Sequence, residues 1–149
     1  MTTDSFNKLL HDSRVTTFGK MIEAQSRLER LFGTRLETEC GISHSWFEIL
    51  LRVGRSSDRK LRMSDLANQV ALTTGGITRV MDRMIEAGFL ERAADPKDRR
   101  VQYAQLTSAG IEKLKAGLSV HVVDLQTELF DRLTPKQAEA FEQTLDLLR

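Results

Sequence analysis

The stretch Met63–Gly110, MSDLANQVALTTGGITRVMDRMIEAGFLERAADPKDRRVQYAQLTSAG, decides how this chain folds. Leu66, Ala67 and Val70 fit one face of a brief helix that Ser64 can cap, and after a few residues Thr73 or Thr74 can cap another. That second helix carries Ile77, Val80, Met81, Met84 and Ile85 at helical spacing and stops at Gly88, a residue suited to the left-handed conformation past a helix end. Two helices joined by a very short turn predict a helix-turn-helix. Directly after Gly88 come FLER, the turn-forming AADPKDR and the partly alternating RVQYAQL, which predict a β-hairpin with a long, charged tip.

The flanks read as helical. Upstream, residues 18–36 set Phe18, Met21, Ile22, Gln25, Leu28, Leu31, Phe32 and Leu36 at three- and four-residue steps, an amphipathic helix followed by a loop that Gly41 ends. A strongly apolar helix with Trp46, Phe47, Ile49, Leu50, Leu51 and Val53 then starts at Ser43 or Ser45, where Ser45–Glu48 reads S-x-x-E, the pattern of a capping box. Downstream, Thr107 caps a long helix with Ile111, Leu114, Leu118, Val122, Leu125, Leu129 and Leu133 on its apolar stripe. Thr134-Pro135-Lys136-Gln137 is a second capping box with proline at the first helical position, opening a last helix lined by Ala138, Phe141, Leu145 and Leu148. The expected fold is mainly α with a small β-hairpin wing: an N-terminal helical segment over residues 1–40, a core over 43–106 and C-terminal helices over 107–149.

Composition bounds the class. The chain has 149 residues, 40% of them hydrophobic and 29% charged, with two prolines, which excludes global disorder and fibrous repeats. Charges interrupt every long apolar stretch and the N-terminus lacks the basic-then-apolar order of a secretory signal, so no membrane partner and a cytoplasmic, nucleoid-associated location are expected. A lone cysteine, Cys40, cannot form an internal disulfide. The net charge of +1 says little, because placement matters more than the sum. Cations gather in the middle: Arg52, Arg55, Arg59, Lys60 and Arg62 stand against Asp58 alone, whereas from Ser108 onward seven acids outnumber five bases.

A helix enters the major groove of DNA and a hairpin tip behind it reaches the neighbouring minor groove. Ser64, Thr73, Thr74, Gly76, Thr78, Arg79 and Arg83 are the candidate contacts of the helix-turn-helix, with Arg79 best suited to a guanine edge because its fork matches two acceptors. Gly75 and Gly76 cost about 1 kcal/mol each of helix propensity relative to alanine; close approach of a DNA backbone or relief of crowding against the preceding helix would each explain them. Lys97, Asp98, Arg99 and Arg100 mark the hairpin tip, readable as a minor-groove probe or as a solvated turn with local ion pairs. Standing directly behind a helix-turn-helix, the tip is read as a probe.

The whole stretch resembles the winged-helix core of the bacterial MarR family, including the DP-x-D-x-R wing (Asp95, Pro96, Asp98, Arg100) and the LT-x-x-G that follows it (Leu106, Thr107, Gly110). Lys97 stands where arginine is frequent in that family. The resemblance implies a winged helix-turn-helix homodimer whose N- and C-terminal helices interlock, bound to double-stranded DNA at a pseudo-palindromic operator and released by a small effector. Two recognition helices related by a twofold axis also suit successive turns of DNA. Phe6, Leu9, Leu10 and Phe18 at one end, and Leu133, Phe141, Leu145 and Leu148 at the other, are the expected interface.

For an aromatic-acid effector the resemblance directs attention to Arg14, His44, Trp46 and His121, although core packing or surface exposure is the better explanation of each. Cys40 admits a redox-sensing role or, with His44 and either Glu48 or His121, a zinc site. Glu37 and Glu39 disfavour the thiolate, and two ligands four residues apart are an incomplete metal set, so an inert cysteine and no cofactor are expected. An enzyme is not expected: the three histidines are scattered, and no glycine-rich phosphate loop follows a strand. The rival reading is a winged helix that binds protein.

Overall fold

A computed structural model of the chain describes residues 3–70, 74–98 and 100–148. The order is α1 (Thr3–Leu10), α2 (Ser13–Cys40), α3 (His44–Arg55), β1 (Lys60–Arg62), α4 (Met63–Gln69), α5 (Thr74–Glu86), β2 (Leu90–Ala94), β3 (Gln102–Leu106), α6 (Ser108–Glu128) and α7 (Pro135–Leu148). The three strands form one antiparallel sheet in the order β1-β3-β2. The mainly helical winged fold is therefore as expected, except that the single helix expected over residues 1–40 is split into α1 and α2 at His11–Asp12, and with two further differences of substance in the elements.

The first is a third strand. Lys60, Leu61 and Arg62 pair with Gln105, Ala104 and Tyr103, so the hairpin β2–β3 is the larger part of a sheet that closes back on the entrance to α4. Three residues carry no legible alternation, and the strand exists because β3 offers a free edge to pair with. The second is the extent of α2. Asp12 caps it by accepting a hydrogen bond from the Arg14 amide at 2.8 Å, six residues ahead of Phe18, where the apolar repeat begins, and the helix runs on to Cys40. Gly41 is its left-handed terminus at φ 65° instead of the end of a loop, and Cys40 is the buried last residue of the helix.

Two caps also fall elsewhere. Ser43, not Ser45, caps α3, accepting from the Trp46 amide at 3.3 Å, and Glu48 pairs with Arg52 instead of closing a box. Arg62 stands at the cap position of α4 without a side-chain bond, because β1 delivers the chain straight into the helix, and Ser64 lies exposed in the first turn. The Thr107 and Thr134 caps form as read: the Thr107 hydroxyl accepts from the Gly110 amide at 3.0 Å, and Thr134 and Gln137 exchange both bonds of a capping box. The stripe of α6 ends at Glu128, and a short 3-10 turn over Phe130–Arg132 carries the chain to α7.

The core joins α2, α3, α4, α5, the sheet and α6 around Leu36, Phe47, Ile49, Leu50, Leu66, Ile77, Met81, Met84 and Leu90. Two glycines let α6 come close. A Cβ at Gly117 would meet the Phe47 ring at 2.7 Å, and one at Gly110 would meet the Phe89 carbonyl oxygen at 2.0 Å. The second contact is backbone and cannot yield by a rotamer change, so the glycine of LT-x-x-G is required by the docking of α6 onto the foot of the wing. Gly110→Ala is expected to destabilise the fold by about 2 kcal/mol or more, as overpacking against a fixed neighbour does, measured as a lower midpoint in urea with an unchanged slope.

Candidate nucleic-acid interface

The amphipathic division of α5 orients the site. Ile77, Met81 and Met84 are buried, while Arg79 and Arg83, one turn apart, are exposed beside Asp82 and Glu86. Among the described residues no ion pair engages Arg79 or Arg83, which leaves both guanidinium forks available to a partner. Gly88, with φ 77°, ends the helix, and the chain turns into β2 within two residues. The wing therefore stands directly beside the exposed face of α5. Thr73 and Arg99 lie outside the described residues; Thr74 opens α5, and Gly76 follows within its first turn.

The hairpin tip is ordered by two aspartates. The Asp95 carboxylate accepts from the Lys97 amide at 2.8 Å and the Asp98 amide at 3.1 Å, and Asp98 accepts from the Arg100 amide at 3.0 Å and its Nε at 3.3 Å. The Lys97 amide, and after it the Tyr103 hydroxyl, hold the Asp95 carboxyl below the usual carboxylate range. The acids of DP-x-D-x-R thus serve the turn's own backbone, which leaves Lys97 and the almost fully exposed Arg100 pointing outward. An Arg100–Asp98 pair this exposed contributes little to stability.

Between the wing and the helix-turn-helix lies an open cleft of about 350 Å³ lined by Arg62, Met63, Ser64, Thr78, Arg92, Arg100, Val101 and Gln102. Arg62 of β1, Arg92 of β2 and Arg100 of the wing tip all border it. Arg92 is held by Asp82 of α5 at 2.6 Å. Of the residues singled out from sequence, the cleft brings together Ser64, Thr78 and Arg100. Arg62 and Arg92 were missed, although the cationic run ending at Arg62 was a legible signal. Such a concentration of positive charge, with hydroxyls beside it, suits a phosphate oxygen.

The residues considered for an effector do not share one place. His44 and His121 face each other with ring centroids 6.5 Å apart, and His121 packs against Phe32 and Phe47 at 5.0 Å each. Trp46 meets Phe89 edge-on instead, and Arg14 is exposed at the start of α2, paired with Asp12 at 2.6 Å. Cys40 is buried and its carbonyl accepts from Lys113 Nζ at 2.9 Å. Among the described residues no group of three or more His, Cys, Asp or Glu side chains could hold a metal ion, so Cys40 and His44 gain no third ligand. No helix among them is long and apolar enough to cross a membrane.

A helix-turn-helix with a cationic wing packed against it is the winged-helix class of nucleic-acid-binding fold. The MarR family model matches residues 41–101. Over that stretch, and in the fold around it, the chain is similar to MarR family transcriptional regulators. It is 31% identical over 101 residues to the uncharacterised HTH-type transcriptional regulator YkoM of Bacillus subtilis, covering 68% of this chain and 64% of that one. Against the HTH-type transcriptional regulator PapX of Escherichia coli the identity is 30%, covering 68% and 62%, so the matched part spans a little under two thirds of these two relatives. The structure is similar to that of Sco3205, a MarR family transcriptional regulator from Streptomyces coelicolor solved in complex with DNA. The TM-score there is 0.82 at 29% identity, covering 89% of this chain and 83% of that one. These relatives are transcriptional regulators, not enzymes.

Burial first, then repulsion from His44, keeps His121 below the ordinary imidazole range, with Glu48 and Asp124 pulling the other way. Neutral His121 is thus preferred in the folded chain, and the unfolded chain binds the extra proton once the pH drops below about 6.5. Stability contributed by the neutral ring is complete above that pH and is lost as the pH falls through the folded value. Denaturant titrations at about pH 7.5 and about pH 5 should show wild type losing more stability than His121→Leu between the two. Equal losses would detach the acid sensitivity from this ring.

Proposed function

We propose that this chain is a homodimeric, sequence-specific DNA-binding transcriptional regulator that acts as a repressor at a pseudo-palindromic operator. The observation that carries the reading is that Arg62, Arg92 and Arg100 all border the cleft between the wing and the helix-turn-helix, beside the exposed Arg79 and Arg83 of α5. In this reading α5 lies in the major groove with Arg79 on a base edge. The cleft takes the intervening phosphate backbone, and Lys97, Asp98, Arg99 and Arg100 of the wing approach the minor groove. Thr73, Thr74, Gly76, Thr78 and Ser64 are assigned to the backbone contacts of the helix-turn-helix. That the similar Sco3205 was solved in complex with DNA supports the DNA-binding reading.

Dimerisation is argued from apolar surface. Phe6, Leu9 and Leu10 on α1 and Phe18, Met21 and Ile22 on α2 stand at three- and four-residue spacing, each 48% exposed or more. Phe141, Leu145 and Leu148 form a matching stripe on α7. Single exposed apolar residues are ordinary, but aligned stripes on the two ends of one chain mark a surface that a partner covers. Burying one such leucine or phenylalanine fully is worth about 1.5–3 kcal/mol. We assign residues 1–40 and 107–149 to the dimer interface and residues 43–106 to DNA. Release by a small aromatic acid is the accompanying reading, supported by the aromatic seam of Phe32, Phe47, His44 and His121 between α2, α3 and α6.

The test is duplex binding as a function of salt. Wild type should bind mixed duplex DNA with an affinity that falls steeply as salt rises. Arg100→Ala should weaken all duplexes evenly and reduce the slope by about one, whereas Arg79→Ala should flatten the preference among operator sequences selected from a random pool. Binding that ignores salt would point to the protein-binding alternative. In sedimentation the wild-type chain should run as a dimer, and Phe18→Glu combined with Leu145→Glu should run as a monomer that no longer binds the selected operator; a wild-type monomer would remove the twofold arrangement.

A further inference from the structure

Tyr103 is the second residue of β3, opposite Arg62 on β1 and Ala93 on β2. Its hydroxyl donates to Asp95 Oδ2 at 3.0 Å, while the other carboxylate oxygen of Asp95 accepts the Lys97 and Asp98 amides. One carboxylate therefore grips the tip's backbone with one oxygen and is itself held by the sheet through the other. The same hydroxyl accepts from Arg62 Nε at 3.4 Å. Above the ring stand Lys60 Nζ, 5.2 Å from the centroid, and Arg62 Cζ, 5.9 Å from it. Lys60 and Arg62 alternate with Leu61 along β1 and so share the sheet face that Tyr103 occupies.

We propose that Tyr103 is a positioning residue of the wing: its hydroxyl locks the turn over residues 95–98 to the sheet, and its ring orders Arg62 at the mouth of the cationic cleft. The assignment rests on the DNA-binding reading for its consequence, but the lock itself is a property of the free chain. Strand pairing ends at Ala94 and Gln102; beyond it the tip is closed by its own bonds, Asp95 amide to Val101 carbonyl at 3.0 Å, Val101 amide to Asp98 carbonyl at 2.9 Å and the amides on the two aspartates, and Tyr103 is what ties it to the body of the sheet. An Asx-type turn alone leaves the Asp95 carboxylate free to swing with the tip. Bound to Tyr103, it fixes the tip's orientation relative to α4 and α5. Long cationic side chains also lose freedom on binding an anion, and Arg62 has already lost part of it over the ring, which is preorganisation. Phenylalanine in place of Tyr103 keeps the strand, the packing and the ring, and removes only the hydroxyl.

The experiment uses the full chain as wild type, Tyr103→Phe, Asp95→Asn and the double variant, with amide hydrogen exchange and affinity for a mixed-sequence duplex measured on each. Asp95→Asn keeps an oxygen for the Lys97 and Asp98 amides and replaces the acceptor of the Tyr103 hydroxyl. In Tyr103→Phe the Lys97 and Asp98 amides should exchange roughly three- to tenfold faster, the size expected for one lost hydrogen bond. The α5 amides and the melting temperature should stay as in wild type. Duplex affinity should fall by a similar factor, and the double variant should fall no further than either single one. Additive losses, or wild-type exchange at Lys97 and Asp98 in Tyr103→Phe, would overturn the assignment. Should wild type itself not bind the duplex, the DNA reading fails, and the exchange rates still decide the lock. Faster exchange with unchanged affinity would reject the role in binding.

Discussion

The contact on which the arrangement depends is the one between the start of α6 and the foot of the wing. The Thr107 hydroxyl donates to the Gly88 carbonyl at 2.6 Å, the Thr107 amide donates to the Phe89 carbonyl at 3.2 Å, and Gly110 lies against that same carbonyl with no room for a side chain. Three short-range facts meet there: α5 has just ended in a left-handed glycine, β2 is about to begin, and β3 has just finished. Satisfying the Gly88 and Phe89 carbonyls from Thr107 fixes the angle at which the hairpin leaves α5. The cleft between them follows from that angle. Thr107 supplies a donor to each of these two carbonyls without lengthening the hairpin.

Electrostatics then become local. A chain with a net charge of +1 has no large field of its own, yet Arg62, Arg92 and Arg100 border one cleft. Asp82 pairs with Arg92 and Asp98 with Arg100, while Arg62 lies over the Tyr103 ring. The two aspartates are exposed, so they orient their guanidiniums without burying them. A phosphate can displace water from such a site without breaking a buried pair.

At the other end the structure is held by packing and a few charges. Arg35 reaches the buried Asp124, and Arg27 and Arg132 both reach Glu128, tying α2 to α6 where the core thins. Beyond those pairs the helices expose their apolar stripes. The winged core closes on itself around Phe47 and Met81, whereas α1, the first half of α2 and α7 do not.

By itself the sequence determined what neighbouring residues decide. The Thr107 and Thr134 caps, the stop at Gly88 and the order of helices and hairpin were legible because periodicity, caps and left-handed glycines act over a turn or two. Tertiary structure decided the rest. β1 exists only where β3 offers it an edge; of Ser43 and Ser45 it is Ser43 that caps α3, because α2 runs on to Cys40 and only Gly41, Ile42 and Ser43 separate the two helices. Arg62, Arg92 and Arg100 become neighbours through the register of three strands, and Tyr103 meets Asp95 across the same hairpin. Residues thirty or forty positions apart leave no local pattern, since what joins them is a pairing that forms only once the chain has folded.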